Sequence, residues 1–257
     1  MYSVIKYSII ENLRSKFYLA SIGMILFIIW LSHYSSQINY NYGNYTLSIL
    51  TLGMYFTKLI LFAFIIFLPV SNLSQEIETG TIYFLLSKKL KRYKYLAAKY
   101  ITYMILYAAL LFFAVFSLWL LTYVFVSKRP EMSLKLLYFM YSEFLSGMMI
   151  LSIVFFIYTA IKAQVVTSIL TAITYFISIM LNSAKEIAEK AQDASVRCFY
   201  LFLYYIFPNF SYFNLEKNIV YGRAVDIKYF FMMFCYAAIF SLILFIISAV
   251  FFNSREL

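Results

Sequence analysis

Long apolar segments alternate with short polar segments along the whole of the chain. A helix needs about 20 apolar residues to cross the ~30 Å of a bilayer's hydrocarbon, so most apolar segments predict one crossing each. The apolar stretch at 134–181 is too long for one helix, and Lys162 and Gln164 mark its break. We therefore predict an all-α polytopic membrane protein, a single transmembrane domain over residues 1–257, with six transmembrane helices at about 17–31, 47–70, 101–126, 136–160, 164–181 and 229–250.

Two further helical segments are expected outside these crossings. Residues 1–16 carry apolar side chains at helical spacing, which predicts a helix lying in the membrane interface before the first crossing. The positions with that spacing are Tyr2, Ile5, Ile9 and Leu13. Between crossings five and six, a helix capped at Asn182 or Ser183 is expected to run on to Pro208. Its second half is too short to span a bilayer, so re-entrant or interfacial helices are predicted on the outer side.

The composition excludes a soluble globular protein. Hydrophobic residues make up 64% of the chain and charged residues 12%, and the mean hydropathy is +0.83. A soluble domain is about half apolar and about a quarter charged. The net charge of +10 does not require a nucleic-acid partner, because Lys and Arg concentrate in cytoplasmic loops and at lipid headgroups. Cys198 and Cys235 lack a metal-type spacing, and no serine, cysteine or histidine has a plausible catalytic partner, so we expect neither a metal site nor catalytic residues.

The polar segment 71–100, SNLSQEIETGTIYFLLSKKLKRYKYLAAKY, is the longest break in hydrophobicity in the first two-thirds of the chain. It follows Pro69, where the second crossing is expected to stop or bend. Its first half holds Glu76 and Glu78, and its second half holds six of the 21 Lys and Arg residues. Because basic residues close to the membrane favour the inner side, we place this segment and both termini in the cytoplasm, with the protein in the plasma (inner) membrane.

A short helix is predicted within this segment, at 80–87. Gly80 permits backbone conformations that other residues rarely adopt, and Thr79 or Thr81 can cap a helix that starts there. One face of the helix would carry Ile82, Leu85 and Leu86, which could insert into an apolar cleft on a partner. The alternative is a cytoplasmic connector that lies on the membrane and binds no partner.

The stretch EIETGTIYFLLSKKLKRYKYLAAKY resembles the first cytoplasmic loop of the ABC type-2 transporter permeases, and FPNFSYFNL at 207–215 resembles the segment before the last helix of that family. Lys89 departs from the proline that many members have at that place. The residues that match the first-loop pattern are Glu78, Gly80, Thr81, Leu85, Leu86, Ser87, Arg92 and Lys99.

The resemblance implies the permease subunit of an exporter that moves a hydrophobic or amphipathic substrate outward. In this family the permease pairs with a second permease copy, forming a homo- or heterodimer, and docks cytoplasmic ATP-binding-cassette ATPase subunits on the loop, which acts as a coupling helix. The chain contains no GxxxxGK[ST] phosphate loop, so ATP and Mg²⁺ would bind to the partner ATPase and the chain itself would be no enzyme. The alternatives are a membrane enzyme acting on lipid-linked substrates and a structural or regulatory membrane subunit.

Lys58 and Glu143 are the only charged residues well inside the predicted crossings. Charges within a membrane are costly and usually have a function or a partner. The two could form an intramembrane pair between crossings two and four, or Lys58 could extend its ammonium group towards the headgroups. Contact with a transported substrate is the third possibility, and the sequence leaves all three open.

Overall fold

The computed structural model of the protein describes residues 2–38, 45–82, 91–125, 129–191, 193–215, 218 and 225–254. This part of the chain is helical apart from short connections, which confirms the predicted all-α class. In chain order the α-helices are α1 (Tyr2–Leu13), α2 (Lys16–Ile38), α3 (Tyr45–Glu78), α4 (Arg92–Phe125), α5 (Arg129–Ile161), α6 (Gln164–Lys190), α7 (Ala194–Ile206) and α8 (Ile227–Asn253), with a 3-10 turn at Phe210–Phe213.

Within the described residues, six of these helices are long and apolar enough to cross a membrane, as the sequence predicts. The protein is therefore a multi-pass membrane protein. The membrane-length segments are Lys16–Ser35, Thr51–Glu78, Arg92–Val124, Lys135–Ile161, Gln164–Leu181 and Ile227–Asn253. Helices α5 and α6 are separated at Lys162 and Ala163, where the sequence pattern places the break.

Helix α5 is the centre of the bundle. It packs against α3, α4, α6 and α8. Of the 18 consecutive residues that form its most apolar stretch, 72% are buried. The corresponding share for α8 is 17%, so α8 lies at the edge with most of its apolar surface facing outward. Because lipid tails are as apolar as these side chains, an outward apolar surface is stable only in a bilayer or against another membrane chain.

The polar segment 71–100 is largely helical, contrary to its expected form as a loop. Helix α3 runs through Pro69 to Glu78, and α4 already begins at Arg92, so the segment extends two transmembrane helices. Burial explains the extension, because Val70 and Leu73 pack in the core directly after the proline. Of the two alternatives expected at Pro69, a stop or a bend, the stop is therefore wrong.

The region between the last two crossings also differs from the prediction. Helix α6 continues past Asn182 and Ser183 to Lys190, so no helix begins at either residue. Helix α6 ends at Lys190 and α7 begins at Ala194, and α7 packs back against α6. Leu181 and Ala188 on the last part of α6 are buried, so this part of the helix has an apolar contact surface.

Helix α1 is present as predicted, but the face that it buries is more polar than its apolar stripe suggests. Its buried residues are Val4, Ser8 and Asn12, whereas Tyr2 and Leu13 are exposed. It packs mainly on α4. The exposed apolar stripe is the side that would face lipid in the interfacial position proposed for this helix.

One end of the bundle, which we call the loop end, collects α1, the end of α3, the start of α4 and the end of α8. Arg92 Nη1 donates a hydrogen bond to the Asn253 carbonyl oxygen (3.2 Å), and Asn72 Nδ2 donates to Asn12 Oδ1. Helix α1 and the end of α8 therefore lie at the same end of the bundle, as expected for an even number of crossings.

Candidate functional site

A tight turn follows α3 at the loop end, at the position of the predicted coupling helix. Gly80 has a φ of +71°, in the left-handed region that glycine occupies without a steric penalty. The amide of Thr79 donates to the Gln75 carbonyl oxygen (2.9 Å), and that of Gly80 donates to the Ile77 carbonyl oxygen (3.1 Å). These bonds satisfy carbonyl groups that a helix end otherwise leaves open. Gly80 therefore adopts a backbone conformation that other residues rarely adopt, as the sequence predicts.

The chain is helical again at Thr81 and Ile82. The hydroxyl groups of Thr79 and Thr81 are hydrogen-bonded to each other (2.8 Å). Glu78, Thr79 and Thr81 are exposed, whereas Ile82 is 1% exposed and packs in the bundle core. Ile82 is thus unavailable to a partner in this arrangement, because its side chain attaches the turn to the bundle. The other predicted docking residues of the helix, Leu85, Leu86 and Ser87, lie outside the described part of the chain.

Lys99, another residue of the family pattern, lies inside the bundle. Its Nζ donates to Glu76 Oε1 and to Ser8 Oγ (2.8 Å), while the Tyr95 hydroxyl donates to Glu76 Oε2. We call Ser8, Glu76, Tyr95 and Lys99 the loop-end cluster. It joins α1, α3 and α4, so Lys99 connects helices rather than presenting its charge to a partner.

The polar face of α1 explains why this helix docks where it does. Asn12 Nδ2 donates to the Ser8 carbonyl oxygen (2.7 Å), and Asn12 Oδ1 accepts the bond from Asn72 on α3. Buried polar groups are stable only when they are hydrogen-bonded, and these bonds satisfy groups on both helices. No local pattern in the sequence pairs Glu76 with Lys99 or Asn12 with Asn72, because each pair joins distant parts of the chain.

The structure brings Lys58 and Glu143 together between α3 and α5. Lys58 Nζ lies 3.0 Å from Glu143 Oε1, and the side chains are 20% and 4% exposed, respectively. The Glu143 backbone carbonyl accepts hydrogen bonds from the Tyr107 hydroxyl (3.0 Å) and from Ser146 Oγ (3.0 Å). A paired lysine is held within the bundle, so the interhelical pair describes the structure better than a lysine that extends alone towards the headgroups.

A cavity of about 210 Å³ adjoins this ion pair, and we call it the α3–α6 cavity. Its walls combine aromatic rings with a few polar groups, as is usual for ligand sites. The sequence singled out Lys58 and Glu143 as charges and the segment 207–215 by resemblance, and that segment supplies Phe210, Ser211, Phe213 and Asn214. It gave no reason to bring these segments together, because they are distant in the chain. The lining residues are Tyr55, Lys58, Leu59, Phe62, Glu143, Ser146, Tyr175, Phe176, Ile179, Phe210, Ser211, Phe213 and Asn214.

The 3-10 turn closes one side of the cavity. The Asn209 amide donates to the Tyr236 hydroxyl (2.9 Å), and Asn209 Oδ1 accepts from the Ser211 amide (3.1 Å). Tyr236 lies in the third turn of α8, about 14 Å along that helix at 1.5 Å per residue, and the Tyr229 hydroxyl in the first turn of α8 donates to the Tyr212 carbonyl oxygen (2.7 Å). The 3-10 turn therefore lies along the first three turns of α8. A hydrogen bond with Tyr204, together with burial, raises the pKa of Tyr212 to about 12, so this phenol stays neutral at physiological pH.

Chemically, the two regions provide ion pairs, hydroxyl groups and aromatic surface. Among the described residues, no group of three or more His, Cys, Asp or Glu side chains is placed to hold a metal ion. No protein-family model matches the chain, and no curated protein is significantly similar to it. The geometry of the two regions is therefore the basis for a functional proposal.

Proposed function

We propose that this chain is the membrane-spanning permease subunit of an ATP-binding-cassette exporter. It would move a hydrophobic or amphipathic substrate outward, using ATP hydrolysed by separate cytoplasmic ATPase subunits. The observation that carries the proposal is the turn at 78–82, where a left-handed Gly80 is flanked by exposed Glu78 and Thr81 and anchored by buried Ile82. Such a turn gives a partner a fixed polar surface that is firmly attached to the helices behind it.

The connection from this turn into the bundle supports a coupling role. Helix α3 runs without interruption from Lys58 to Glu78, a distance of about 30 Å at 1.5 Å per residue. A displacement of the turn therefore moves the helix that carries Lys58. The loop-end cluster links this motion to α1 and α4, since Glu76 is bonded to groups on α4 and Lys99 to Ser8.

In this proposal the loop end faces the cytoplasm, in the plasma (inner) membrane, and the ATPase binds there. Lys91 and Lys94 are exposed beside the start of α4, where they suit the anionic headgroups of the inner leaflet. A second permease copy would complete the translocation path. The outward apolar side chains of α6 and α8 suit contact with either that copy or lipid.

Affinity purification of the full chain from its native membranes tests the proposal. We expect an ATP-binding-cassette ATPase to co-purify in stoichiometric amount and to be lost from Gly80→Pro. Proline cannot adopt a φ of +71° and lacks the amide that bonds to Ile77. Gly23→Ala is the matched control, because no neighbouring atom lies within 4 Å of the added Cβ. A chain that purifies with no ATPase under conditions that preserve membrane complexes would refute the proposal.

A charge reversal tests the exposed surface without altering the backbone. Glu78→Lys should weaken ATPase binding. Glu78→Gln removes the charge but keeps an oxygen that can accept the hydrogen bond from Ser74 Oγ (2.9 Å), so it should weaken binding less and leave the unfolding temperature close to that of the wild type. Glu189→Lys, at the exposed end of α6, should leave binding unchanged. In reconstituted vesicles, substrate-stimulated ATP hydrolysis distinguishes a permease from a structural or regulatory subunit. Turnover of a lipid-linked substrate by the isolated chain would instead favour the enzyme alternative.

A further inference from the structure

The α3–α6 cavity extends from an exposed apolar rim to a buried ion pair. At the rim, Tyr55 on α3 is 54% exposed and Phe176 on α6 is 57% exposed. Among the other lining residues, Glu143 and Phe213 are buried. Both rim residues lie within helices that are long and apolar enough to cross a membrane, so in a bilayer that these helices span the mouth of the cavity would open towards the hydrocarbon. A molecule dissolved in the membrane reaches this mouth without crossing water.

The two charges of the ion pair are unequally accessible. Both side chains line the cavity, and Lys58 is the more exposed member, whereas Glu143 is held on the central helix α5. A ligand in the cavity therefore has more of the lysine than of the glutamate to contact. In a site of low dielectric constant, an ammonium group attracts an anion far more strongly than it does in water. Glu143, 3.0 Å away, offsets part of that charge, so an anionic ligand competes with Glu143 for the ammonium group.

The remaining walls fit a chain that is attached to such an anion. Phe62, Tyr175 and Phe210 line the cavity beside the charges, while Ser146 and Asn214 add hydrogen-bonding groups. The volume of about 210 Å³ exceeds the roughly 150 Å³ of an engineered protein cavity that holds benzene. It has room for a headgroup and the first part of one alkyl chain, and the rest of the chain would pass over the rim into the lipid.

We propose that the α3–α6 cavity binds a single-chain membrane amphiphile with an anionic headgroup, with Lys58 contacting the headgroup and the aromatic walls holding the proximal chain. The inference rests on the permease role proposed above for its biological meaning, since it names the class of the transported substrate. The carboxylate of a fatty acid and the phosphate of a lysolipid share the required chemistry.

Photoaffinity labelling tests the site on the full chain in phosphatidylcholine nanodiscs, without ATP or ATPase. The probe is a decanoic acid that carries a diazirine near its carboxylate, and decylamine and decanol with the same diazirine are the matched cationic and neutral probes. Mass spectrometry locates the labelled peptides. We expect the acid to label peptides that contain Phe62, Tyr175 or Phe210 at least about tenfold more than either matched probe, as a charge-assisted contact implies.

Variants separate the charge effect from damage to the fold. The double variant Lys58→Gln/Glu143→Gln removes both charges without leaving either one buried alone, and it should reduce acid labelling to the level of the alcohol. Lys58→Arg should retain the preference for the acid. Lys228→Gln removes an exposed lysine at the start of α8, outside the cavity lining, and should label like the wild type. Unfolding temperatures of all variants in the same nanodiscs report whether the fold is retained.

Competition distinguishes the two sources of the anion. Unlabelled decanoate and decyl phosphate are added in parallel, and the stronger competitor identifies the preferred headgroup. Equal labelling by acid, amine and alcohol, or preferential labelling by the acid that survives in a folded double variant, would overturn the proposal. Because the assay needs no ATPase, such a result would leave the permease proposal to its own co-purification test.

Discussion

Among the described residues, two lysine–glutamate pairs join helices of the bundle, and their surroundings differ. At the loop end, Lys99 has a 2% exposed side chain and bonds to Glu76 and Ser8, so three helices are tied together around it. Near the middle of α3, Lys58 is 20% exposed and pairs with Glu143 beside a cavity. The first pair is enclosed by protein groups, whereas the second leaves space next to its cation.

This difference indicates two different roles for the same pair of residue types. A buried ion pair stabilises only when its geometry is good and the remaining polar groups are bonded, and the loop-end cluster meets that condition through Ser8 and Tyr95. Such a cluster fixes helices to one another. The Lys58–Glu143 pair adjoins empty volume, which suits exchange between the internal partner and a ligand. Four sets of substitutions test the two pairs and the turn beside the first of them, from the largest expected effect to the smallest.

Glu76→Ala should give the largest loss of stability. It leaves the Lys99 ammonium group buried without its carboxylate, which costs about 3–5 kcal/mol of unfolding free energy. Unfolding in mixed micelles of increasing SDS fraction measures the change. Gln75→Ala is the control one residue away, where the side chain is exposed, and its effect should be within about 0.5 kcal/mol. Equal effects of the two substitutions would mean that the cluster does not fasten the helices.

Gly147→Ala tests how tightly α5 is packed beside the second pair. A Cβ at this position would overlap the ring of Tyr107, whose hydroxyl donates to the Glu143 carbonyl oxygen. Overpacking of this kind costs about 1–3 kcal/mol in unfolding free energy. Gly23→Ala on α2 meets no neighbouring atom and should instead stabilise its helix by about 1 kcal/mol. An unchanged unfolding free energy for Gly147→Ala would show that the Tyr107 ring moves freely, contrary to a fixed position of this ring beside Glu143.

The members of the second pair should respond unequally to neutralisation. Lys58→Met leaves a 4% exposed carboxylate without its cation. This carboxylate keeps the hydrogen bond from Ser146 Oγ (3.4 Å) and borders the cavity, so we expect a loss of about 1–3 kcal/mol, less than for the enclosed Lys99 ammonium group. Glu143→Gln should cost less, because the more exposed Lys58 can turn towards the cavity. The unfolding free energies of both variants in the same micelles measure the asymmetry. The reverse order would contradict the view that Lys58 is the accessible member.

Gly80→Ala should have the smallest of the four effects on stability. An alanine at a φ of +71° is destabilised by about 1 kcal/mol, and Gly80→Asn should cost less because asparagine tolerates this region better. Unfolding free energy again provides the measurement, and ATPase co-purification with each variant shows whether the turn matters more for docking than for folding. If Gly80→Ala and Gly80→Asn lower the unfolding free energy equally, the left-handed conformation of Gly80 does not determine the position of the turn.

Particular residues show why the sequence predicted some of these features and missed others. Lys58 and Glu143 stand out because each interrupts an apolar segment, and a charged residue among apolar ones is visible in the sequence without knowledge of the fold. Lys99 did not stand out as a buried residue, because it follows a basic run that is typical of a cytoplasmic loop. Ile82 was expected to face a partner, since helical spacing identifies an apolar face but does not say what covers it.

The sequence by itself determined that this protein is helical and that six of its described helices are long and apolar enough to cross a membrane. Hydrophobicity over the length of one helix is a local property that needs no knowledge of neighbouring helices. The sequence also identified Gly80, whose conformation depends only on the adjoining turn. Only the tertiary structure decided that Lys99 belongs to a buried cluster and that Lys58 lies beside a cavity. Burial and pairing depend on which helix faces meet, and that choice is made by packing among segments far apart in the chain.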